Sequence, residues 1–321
     1  MHRSISMTRA RFSRVIRRRI VHLAAVSLAA AVPVRPVAAQ PAHRAILRAK
    51  FKRDLRRVAD TYDGVLGVAT IDLTDSTAMG VNDTLVFPQG SAIKVPILIE
   101  LFRRAEHEPG LLRARQTMTT AARTGGSGVL GFFSDSGSAL SNEDLAVLMI
   151  SLSDNTATNM LIDLLGMDSV NRTLASMGFT RTKLQRKMIR TPEMIRGQEN
   201  ISTPTEAAAI MARVARCQLP MTAASCARVR AMLELPKDEP VRSVVPPNIR
   251  VASKPGSVEG VATSWALVEL PGRPFVVTVM TNYGDTDRGN DAIRQIARLA
   301  LDYYGKLAGA TPYGARVPVR P

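Results

Sequence analysis

The sequence predicts a mixed α/β protein, an α+β sandwich in which an antiparallel five-stranded sheet is covered by the two terminal helices. Three observations predict this class: β-branched apolar runs lie near both ends of the chain, hairpin-type turns join neighbouring runs, and the long stretch between them has helical periodicity. Hairpin-linked strands pair antiparallel, and helices have to cover the apolar face of such a sheet. With 321 residues, 45% of them hydrophobic, the chain can bury a large core.

The N-terminal elements follow from periodicity and turn residues. Residues 42–60 have the pattern of a charged amphipathic helix. The β-branched run over 64–73 predicts a strand, and residues 77–81 return as its hairpin partner. Apolar residues then recur at helical spacing over 92–105, which predicts a helix there.

The middle of the chain, residues 109–239, is predicted to form an all-α subdomain, because its periodicity is helical and it has no convincing strand pattern. Its helices are expected over 142–150, 158–165, 170–177, 203–217 and 223–235. The last third predicts strands over 250–257, 263–270 and 275–282 and a long helix over 287–305. We therefore expect one domain over 40–307, with a sheet subdomain over 42–108 and 240–307, followed by a disordered tail over 308–321.

The first 39 residues have the pattern of a secretory signal peptide. A basic region precedes an apolar stretch, residues 20–32, that is too short to span a bilayer comfortably, and Val37-Ala38-Ala39 offers small residues for cleavage. An uncleaved membrane anchor is the alternative, and Arg17-Arg18 also permits a twin-arginine export signal. We expect a periplasmic or secreted protein without a stable membrane span after cleavage. Without the eight arginines of residues 1–39, the formal net charge falls from +16 to +8.

Composition argues against several classes of function. Aromatic residues make up 4% of the chain, too few for a base-stacking platform, so we expect no nucleic-acid partner. None of the four histidines stands in a motif and no G-x-S-x-G occurs, which argues against a Ser-His-Asp hydrolase. We expect no metal, no cofactor and a monomer. In an oxidising compartment Cys217 and Cys226 are expected to form a disulfide between two helices; two free buried thiols are the alternative.

The first candidate for chemistry is Ser91-Ala92-Ile93-Lys94, at the start of a predicted helix. Residues three apart share a helix face, so the Ser91 hydroxyl and the Lys94 amine are expected to be neighbours. A serine needs a base to take its proton, and a lysine can serve where burial or a positive neighbour lowers its pKa. Free N–H groups at a helix start can stabilise an oxyanion. Alone, the spacing also fits a capping serine and a solvated lysine.

Two further motifs follow along the chain. Ser153-Asp154-Asn155 lies between two predicted helices, where short polar residues can also be simple caps. Lys254-Pro255-Gly256-Ser257 lies on the strand over 250–257. Pro255 cannot donate to a strand ladder, so this strand is predicted at a sheet edge, where a peptide-like substrate can pair with it beside Gly256. The alternative is an exposed strand end without function.

In this order, the three motifs S-x-x-K, S-D-N and K-[T/S]-G resemble those of the class A β-lactamase-type serine hydrolases and penicillin-binding proteins. The flanking Phe87-Pro88 and Thr203-Pro204 are similar too. The resemblance covers essentially all of residues 42–307, and it implies a β-lactamase/transpeptidase-like fold.

The resemblance implies a role for each residue of these motifs. Ser91 would be the acylated nucleophile, Lys94 would take its proton, and Ser153 would relay a proton to the leaving nitrogen. Lys254 would hold Ser153 and attract a substrate carboxylate. The substrate contacts would be the Asn155 amide, Gly256 on the strand, and an oxyanion hole made by the backbone N–H groups of Ser91 and Ser257.

The chain departs from the family pattern at three places, and one is the third motif, where Lys254-Pro255-Gly256 has a proline instead of the usual hydroxyl residue. The hydrolytic glutamate of the family falls on Met188, whose thioether cannot accept a proton from water, and the aspartate that pairs with the arginine of the same loop falls on Asn200. Glu193 or Glu199 could replace the missing base only if the loop folds differently. No arginine falls at the usual carboxylate-binding places, and the remaining candidates are Arg242 and Arg250.

The sequence therefore predicts a serine acyl hydrolase of the class A β-lactamase type, which opens the β-lactam ring through a Ser91 acyl-enzyme and deacylates slowly because of Met188. Its substrate would be a small-molecule β-lactam or a peptidoglycan-like peptide. The alternatives are a D-Ala-D-Ala peptidase, amidase or esterase using the same site, and a non-catalytic envelope binding protein.

Overall fold

The computed structural model describes residues 39–134, 137–311 and 313–315. Almost all of the predicted signal peptide, and residues 312 and 316–321 of the predicted tail, lie outside the described residues. The helices are Ala39–Thr61 (α1), Lys94–Ala105 (α2), Asn142–Ser151 (α3), Asn155–Leu165 (α4), Met167–Ser176 (α5), Thr191–Ile195 (α6), Pro204–Arg216 (α7), Ala223–Glu234 (α8) and Thr286–Leu307 (α9). The strands are Val65–Asp72 (β1), Ala78–Val81 (β2), Phe87–Pro88 (β3), Arg115–Thr117 (β4), Ala139–Ser141 (β5), Ile201–Ser202 (β6), Val251–Val258 (β7), Val261–Val268 (β8) and Phe275–Asn282 (β9).

The predicted antiparallel five-stranded sheet is confirmed. Its strand order is β2-β1-β9-β8-β7, and each neighbouring pair is antiparallel. The chain reaches β9 only after the long helical insertion, and β9 then pairs with both β1 and β8. Strand β7, which carries Lys254 to Ser257, lies at one edge of the sheet, as the proline in it predicts.

Helices cover both faces of this sheet. On one face α1 and α9 pack against the strands, and their aromatic rings stack: Phe51 lies on Tyr303 and Phe275 on Tyr304, each with ring centroids 4.4 Å apart. The opposite face carries Trp265 and the larger core built by α2, α4 and α7. Because both faces are covered, every residue of β8 is buried, which is why that strand carries only apolar and small hydroxyl residues and no charged ones.

The prediction that residues 109–239 are purely helical was wrong in detail. Strands β4 and β5 pair antiparallel within this stretch, and β6 pairs with β3. These strands have only two or three residues each, so they are too short to give the alternating pattern on which strand prediction depends.

The predicted disulfide is confirmed: Cys217 bonds to Cys226 and links the end of α7 to α8. In the part of the chain that the structure describes, no helix combines the length and the apolar character needed to cross a bilayer.

Candidate active site

Ser91 lies in a short 3₁₀ turn, Gly90–Ile93, that leads from β3 into α2. Gln89, fully buried before it, fixes this turn, since its amide donates to the Phe87 carbonyl (2.8 Å) and accepts from the Trp265 indole (2.9 Å). The predicted helix start is therefore displaced: the regular helix begins at Lys94. Pro96 is its third residue, where no intrahelical N–H bond is lost.

Lys94 is fully buried beside the second motif. Its ammonium donates to the Ser153 carbonyl (2.7 Å), the Ser153 hydroxyl (3.1 Å) and the Asn155 side-chain oxygen (3.0 Å). Burial lowers the pKa of Lys94 well below its usual value, the positive charge of Lys254 adds to this effect, and Asp154 opposes it. The first two motifs therefore meet, and the lysine is in a setting that favours a neutral amine.

Ser153 is the link between the two lysines. It lies between α3 and α4 with φ +55°, a left-handed conformation that is strained for a serine and typical of functional sites. Its hydroxyl accepts hydrogen bonds from Lys94 and from Lys254, each at 3.1 Å. A proton can therefore pass between either amine and this hydroxyl.

Asp154 holds a glycine-rich loop, residues 123–131, against the site. Its carboxylate caps α4 by accepting from the Ala157 N–H (2.8 Å), and its other oxygen accepts from Val129 and Leu130 at 2.7 Å each. Gly128 has to be glycine here, because its φ is +109° and a Cβ would lie 2.2 Å from the carboxylate. The helix predicted from residue 158 consequently begins three residues earlier, at Asn155.

Lys254 approaches the same hydroxyl from the edge strand. It is almost completely buried and also donates to the Pro255 carbonyl (3.0 Å). Burial, and after it the charge of Lys237, lower the pKa of Lys254 to about 7, although buried Glu239 opposes the shift. Glu239 accepts from the Ser264 hydroxyl (2.5 Å), and burial raises the pKa of this carboxyl.

The turn that carries Ser91 is in close backbone contact with β7. A Cβ on Gly256 would lie 2.3 Å from the Gln89 carbonyl oxygen and 2.7 Å from the Ser91 nitrogen, and one on Gly90 would lie 2.8 Å from the Ser257 nitrogen. Both glycines are therefore required by close approach of two backbones. The two N–H groups that the resemblance assigns to an oxyanion hole lie at this contact.

A cavity of about 600 Å³ opens over these groups. Five of the predicted site residues line it together with Pro255: Ser91, Ser153, Lys254, Gly256 and Ser257. Lys94 and Asn155 lie behind this wall, joined to it through Ser153.

Sequence reasoning missed two cations at this cavity, Lys237 and Arg294. Arg294 lies on α9, and nothing in the helical periodicity shows which part of α9 meets the edge strand. The two arginines that the sequence offered are engaged elsewhere. The Arg242 guanidinium donates to backbone carbonyls of the connection before β7, and Arg250 pairs with Glu269 at 2.6 Å.

Met188, at the position of the missing glutamate, is held by hydrogen bonds to both of its backbone groups. Asn159, one turn along α4 from Asn155, accepts from the Met188 N–H (2.8 Å) and donates to the Met188 carbonyl (3.2 Å). Met188 is 5% exposed. Glu199 is not free to replace it, because its carboxylate pairs with Arg186 at 2.7 Å, and Glu193 lies on α6 near Arg196. Neither glutamate lines the cavity over Ser91.

Comparisons with known proteins identify the family of the chain. Residues 50–304 match the model of a family described as the beta-lactamase enzyme family. A beta-lactamase of Streptomyces fradiae is 28% identical over 291 residues, which cover 87% of this chain and 94% of that protein.

Two solved structures are also similar. A beta-lactamase from Sphaerobacter thermophilus is 32% identical with a TM-score of 0.73, over 80% of this chain and 97% of the other. A mutant of PBP-A, solved as an acyl-enzyme complex with penicillin-G, is 25% identical with a TM-score of 0.73, over 82% and 97%. With the family match spanning most of its length, the chain belongs to the beta-lactamase enzyme family, as a serine hydrolase of the β-lactamase type.

Proposed function

We propose that this protein opens β-lactam rings through an acyl-enzyme on Ser91 and releases the product slowly. The observation that carries the proposal is the buried chain of hydrogen bonds from Lys94 through the Ser153 hydroxyl to Lys254. It supplies a base for the nucleophile and a proton donor for the leaving group within one network.

Acylation would begin when the Ser91 hydroxyl oxygen attacks the β-lactam carbonyl and Lys94 takes the proton. The N–H groups of Ser91 and Ser257 would stabilise the oxyanion. The carbon–nitrogen bond then breaks, Ser153 gives its proton to the leaving nitrogen, and a lysine ammonium restores the proton of Ser153. The lowered pKa of Lys94 supports the first transfer.

Deacylation would lack its usual base. A thioether cannot accept a proton from water, and losing a general base typically costs about a hundred- to ten-thousand-fold in rate. The acyl-enzyme complex of the PBP-A mutant supports the view that a protein of this fold can form an acyl-enzyme with penicillin-G. We therefore propose that Ser91 is acylated at an ordinary rate and that the acyl-enzyme is hydrolysed slowly.

The second candidate is a D-Ala-D-Ala peptidase, or another amidase or esterase, at the same site. Met188 favours it, because it argues against a fast penicillinase. The open edge of β7 favours it too, since an extended peptide can pair there. A non-catalytic envelope binding protein is the least supported alternative, because Ser91, Lys94, Ser153 and Lys254 are all intact.

We further propose that the mature protein is a monomer that works in the periplasm or outside the cell. The N-terminal pattern and the disulfide between Cys217 and Cys226 support this location, because disulfides persist in oxidising compartments.

The test is nitrocefin turnover by the purified mature chain beside Ser91→Ala, with intact-protein mass spectrometry of both. We expect a stoichiometric burst, an acyl adduct on the unmodified chain and neither in the variant. Fast steady turnover that disappears in Ser91→Ala would contradict slow deacylation. Absence of both adduct and hydrolysis would contradict the whole proposal and direct the search to peptide and ester substrates.

A further inference from the structure

Helix α1 carries most of the net positive charge that remains without the predicted signal peptide. Between Ala39 and Thr61 it has seven basic and two acidic residues, a formal charge of +5. Residues 40–321 together have a formal charge of +8, so this one helix contributes more than half of it. The fields of like charges on one surface add, and such a surface attracts an anionic partner.

Most of these cations lie on the side of α1 that faces away from the sheet. Phe51, Leu55 and Val58 are buried against the strands. With 3.6 residues per turn, the residues next to them and two positions away fall on the opposite half of the helix. Five exposed cations lie on that half, and we call them the basic face of α1: Lys50, Lys52, Arg53, Arg56 and Arg57.

Acidic side chains neutralise only part of the basic face. The Asp54 carboxylate lies 3.3 Å from the Arg53 guanidinium and 3.5 Å from that of Arg57, so one negative charge is shared between two arginines. Within the part of the chain that the structure describes, Lys50, Lys52 and Arg56 have no ion-pair partner. The basic face therefore keeps a surplus of positive charge.

An apolar side chain lies among these cations. Ile46 is 54% exposed, and Ala45 and Ala49 beside it are exposed as well. Ile46 and Lys50 are four residues apart and share one side of the helix. The surface of an anionic bilayer offers both negative headgroups for the cations and an apolar phase for the isoleucine, whereas a soluble polyanion offers only the charge. The combination favours a membrane as the partner.

The basic face is remote from the chemistry. Helix α1 packs against β1, β2 and α9, and β2 is the edge of the sheet opposite β7. The described residues that line the cavity over Ser91 include none from α1. A membrane bound by α1 would therefore leave the cavity open to substrate.

We propose that the basic face of α1 docks the protein onto an anionic phospholipid membrane, with Ile46 buried where the headgroups meet the acyl chains. The lysines and arginines bind the lipid phosphates, and each adds to the attraction. In the sequence, α1 begins where the predicted signal peptide, residues 1–39, ends, so it is the first segment of the mature chain to meet the outer surface of the membrane. The docking is independent of the proposed hydrolysis of β-lactams.

The test is co-sedimentation of the purified mature chain with phosphatidylcholine vesicles that contain phosphatidylglycerol, and with phosphatidylcholine vesicles alone. We expect binding to the anionic vesicles at low salt only, because salt screens exposed charges. Lys50→Gln with Lys52→Gln and Arg56→Gln should lower the partition coefficient by about a hundredfold. Ile46→Ser should lower it by about tenfold but leave retention on an anionic polysaccharide column unchanged.

Arg172→Gln with Arg181→Gln and Lys183→Gln is the matched control, since these cations are also exposed and their loss changes the net charge by the same amount. It should bind anionic vesicles as the unmodified chain does. Equal loss in both triple variants would assign binding to the net charge of the molecule and overturn the role of α1. No binding by the unmodified chain, or an unchanged partition coefficient for Ile46→Ser, would overturn membrane docking. Acylation of Ser91 should be the same in every variant, so this test stands apart from that of the proposed function.

Discussion

At the scale of single residues, the side chain at position 188 sets the balance between acylation and release. Because Asn159 fixes both backbone groups of Met188, a substituted side chain would start from the same place. We predict that Met188→Glu raises steady-state nitrocefin turnover by at least about a hundredfold, the effect of a positioned general base. Burst and steady-state phases would be measured by stopped flow.

The control for that change is Met188→Gln, which has nearly the same size and polarity but cannot take a proton. It should remain as slow as the unmodified chain. Equal turnover in the Glu and Gln variants would show that a group other than residue 188 limits deacylation.

The lysine pair predicts the pH dependence of acylation. Lys94 must be neutral to take a proton, and burial beside the charge of Lys254 lowers its pKa, which favours this state. Lys254 must be charged to hold Ser153, and its pKa is about 7. Acylation should therefore fall as the pH rises through about 7, with the two lysines and Glu239 titrating as a coupled group.

Replacing Lys237 should shift the pH at which acylation falls. The Lys237 charge lowers the pKa of Lys254, so Lys237→Gln should raise that pKa, and acylation should then fall at a higher pH. Glutamine keeps a donor for the Leu233 and Leu235 carbonyls, which Lys237 now serves. Lys306→Gln, at the far end of α9, should leave the pH profile unchanged, and a shift of equal size there would contradict the assignment.

The residues that carry chemistry could be predicted from sequence because their spacing is diagnostic. Ser91 and Lys94 are tied by helix geometry, and the two later motifs follow in a fixed order. Lys237 and Arg294 could not be predicted, because neither belongs to a motif and both reach the cavity only through the packing of α9 and of the connection after α8. The positive φ of Ile189, +52°, was equally hidden, because it depends on the contacts that Asn159 makes with the neighbouring Met188 rather than on local sequence.

At the scale of elements, the contact between β7 and the turn that carries Ser91 decides whether the site forms. The backbone of Gly256 lies so close to this turn that a Cβ would be 2.6 Å from the Ala92 nitrogen. We predict that Gly256→Ala separates the two elements, slows acylation by at least about a hundredfold, the cost of a misplacement of about 1 Å, and costs about 1–3 kcal/mol of stability. Acylation rate and urea denaturation would measure both effects.

Gly305→Ala is the control for glycine replacement as such. Gly305 lies in α9, and nothing is within 4 Å of the position its Cβ would take. Alanine there should stabilise the helix by about 0.5–1 kcal/mol and leave acylation unchanged. If Gly256→Ala were equally harmless, the close contact between β7 and the turn would not be needed for function.

The bounds of helices and strands were predicted well where the element was long enough for its sequence pattern to repeat. The bounds of β9 were predicted to the residue, and α9 to within two residues at each end. The short pairs β3–β6 and β4–β5 were missed, because tertiary pairing rather than local pattern creates them.

At the scale of the whole molecule, the site lies at the edge strand β7, while the disulfide lies in the helical layer. Cys217 and Cys226 join α7 to α8, and neither lines the cavity over Ser91. A cross-link over this short loop stabilises mainly by restricting the unfolded chain. We therefore expect loss of the disulfide to lower stability without changing the rate of acylation.

We predict that replacing both cysteines, as Cys217→Ser with Cys226→Ala, lowers the free energy of unfolding by about 2–3 kcal/mol. The reason is that a cross-link over a loop of this length removes about that much conformational entropy from the unfolded chain. Urea denaturation of the oxidised chain, the reduced chain and the double variant would measure it. The second-order rate constant for acylation of Ser91 should be the same in all three, since the turn at Ser91 is fixed by Gln89, Trp265 and β7 rather than by α8. Slower acylation after reduction would contradict this prediction. It would show that the packing of the helical layer affects the position of β7.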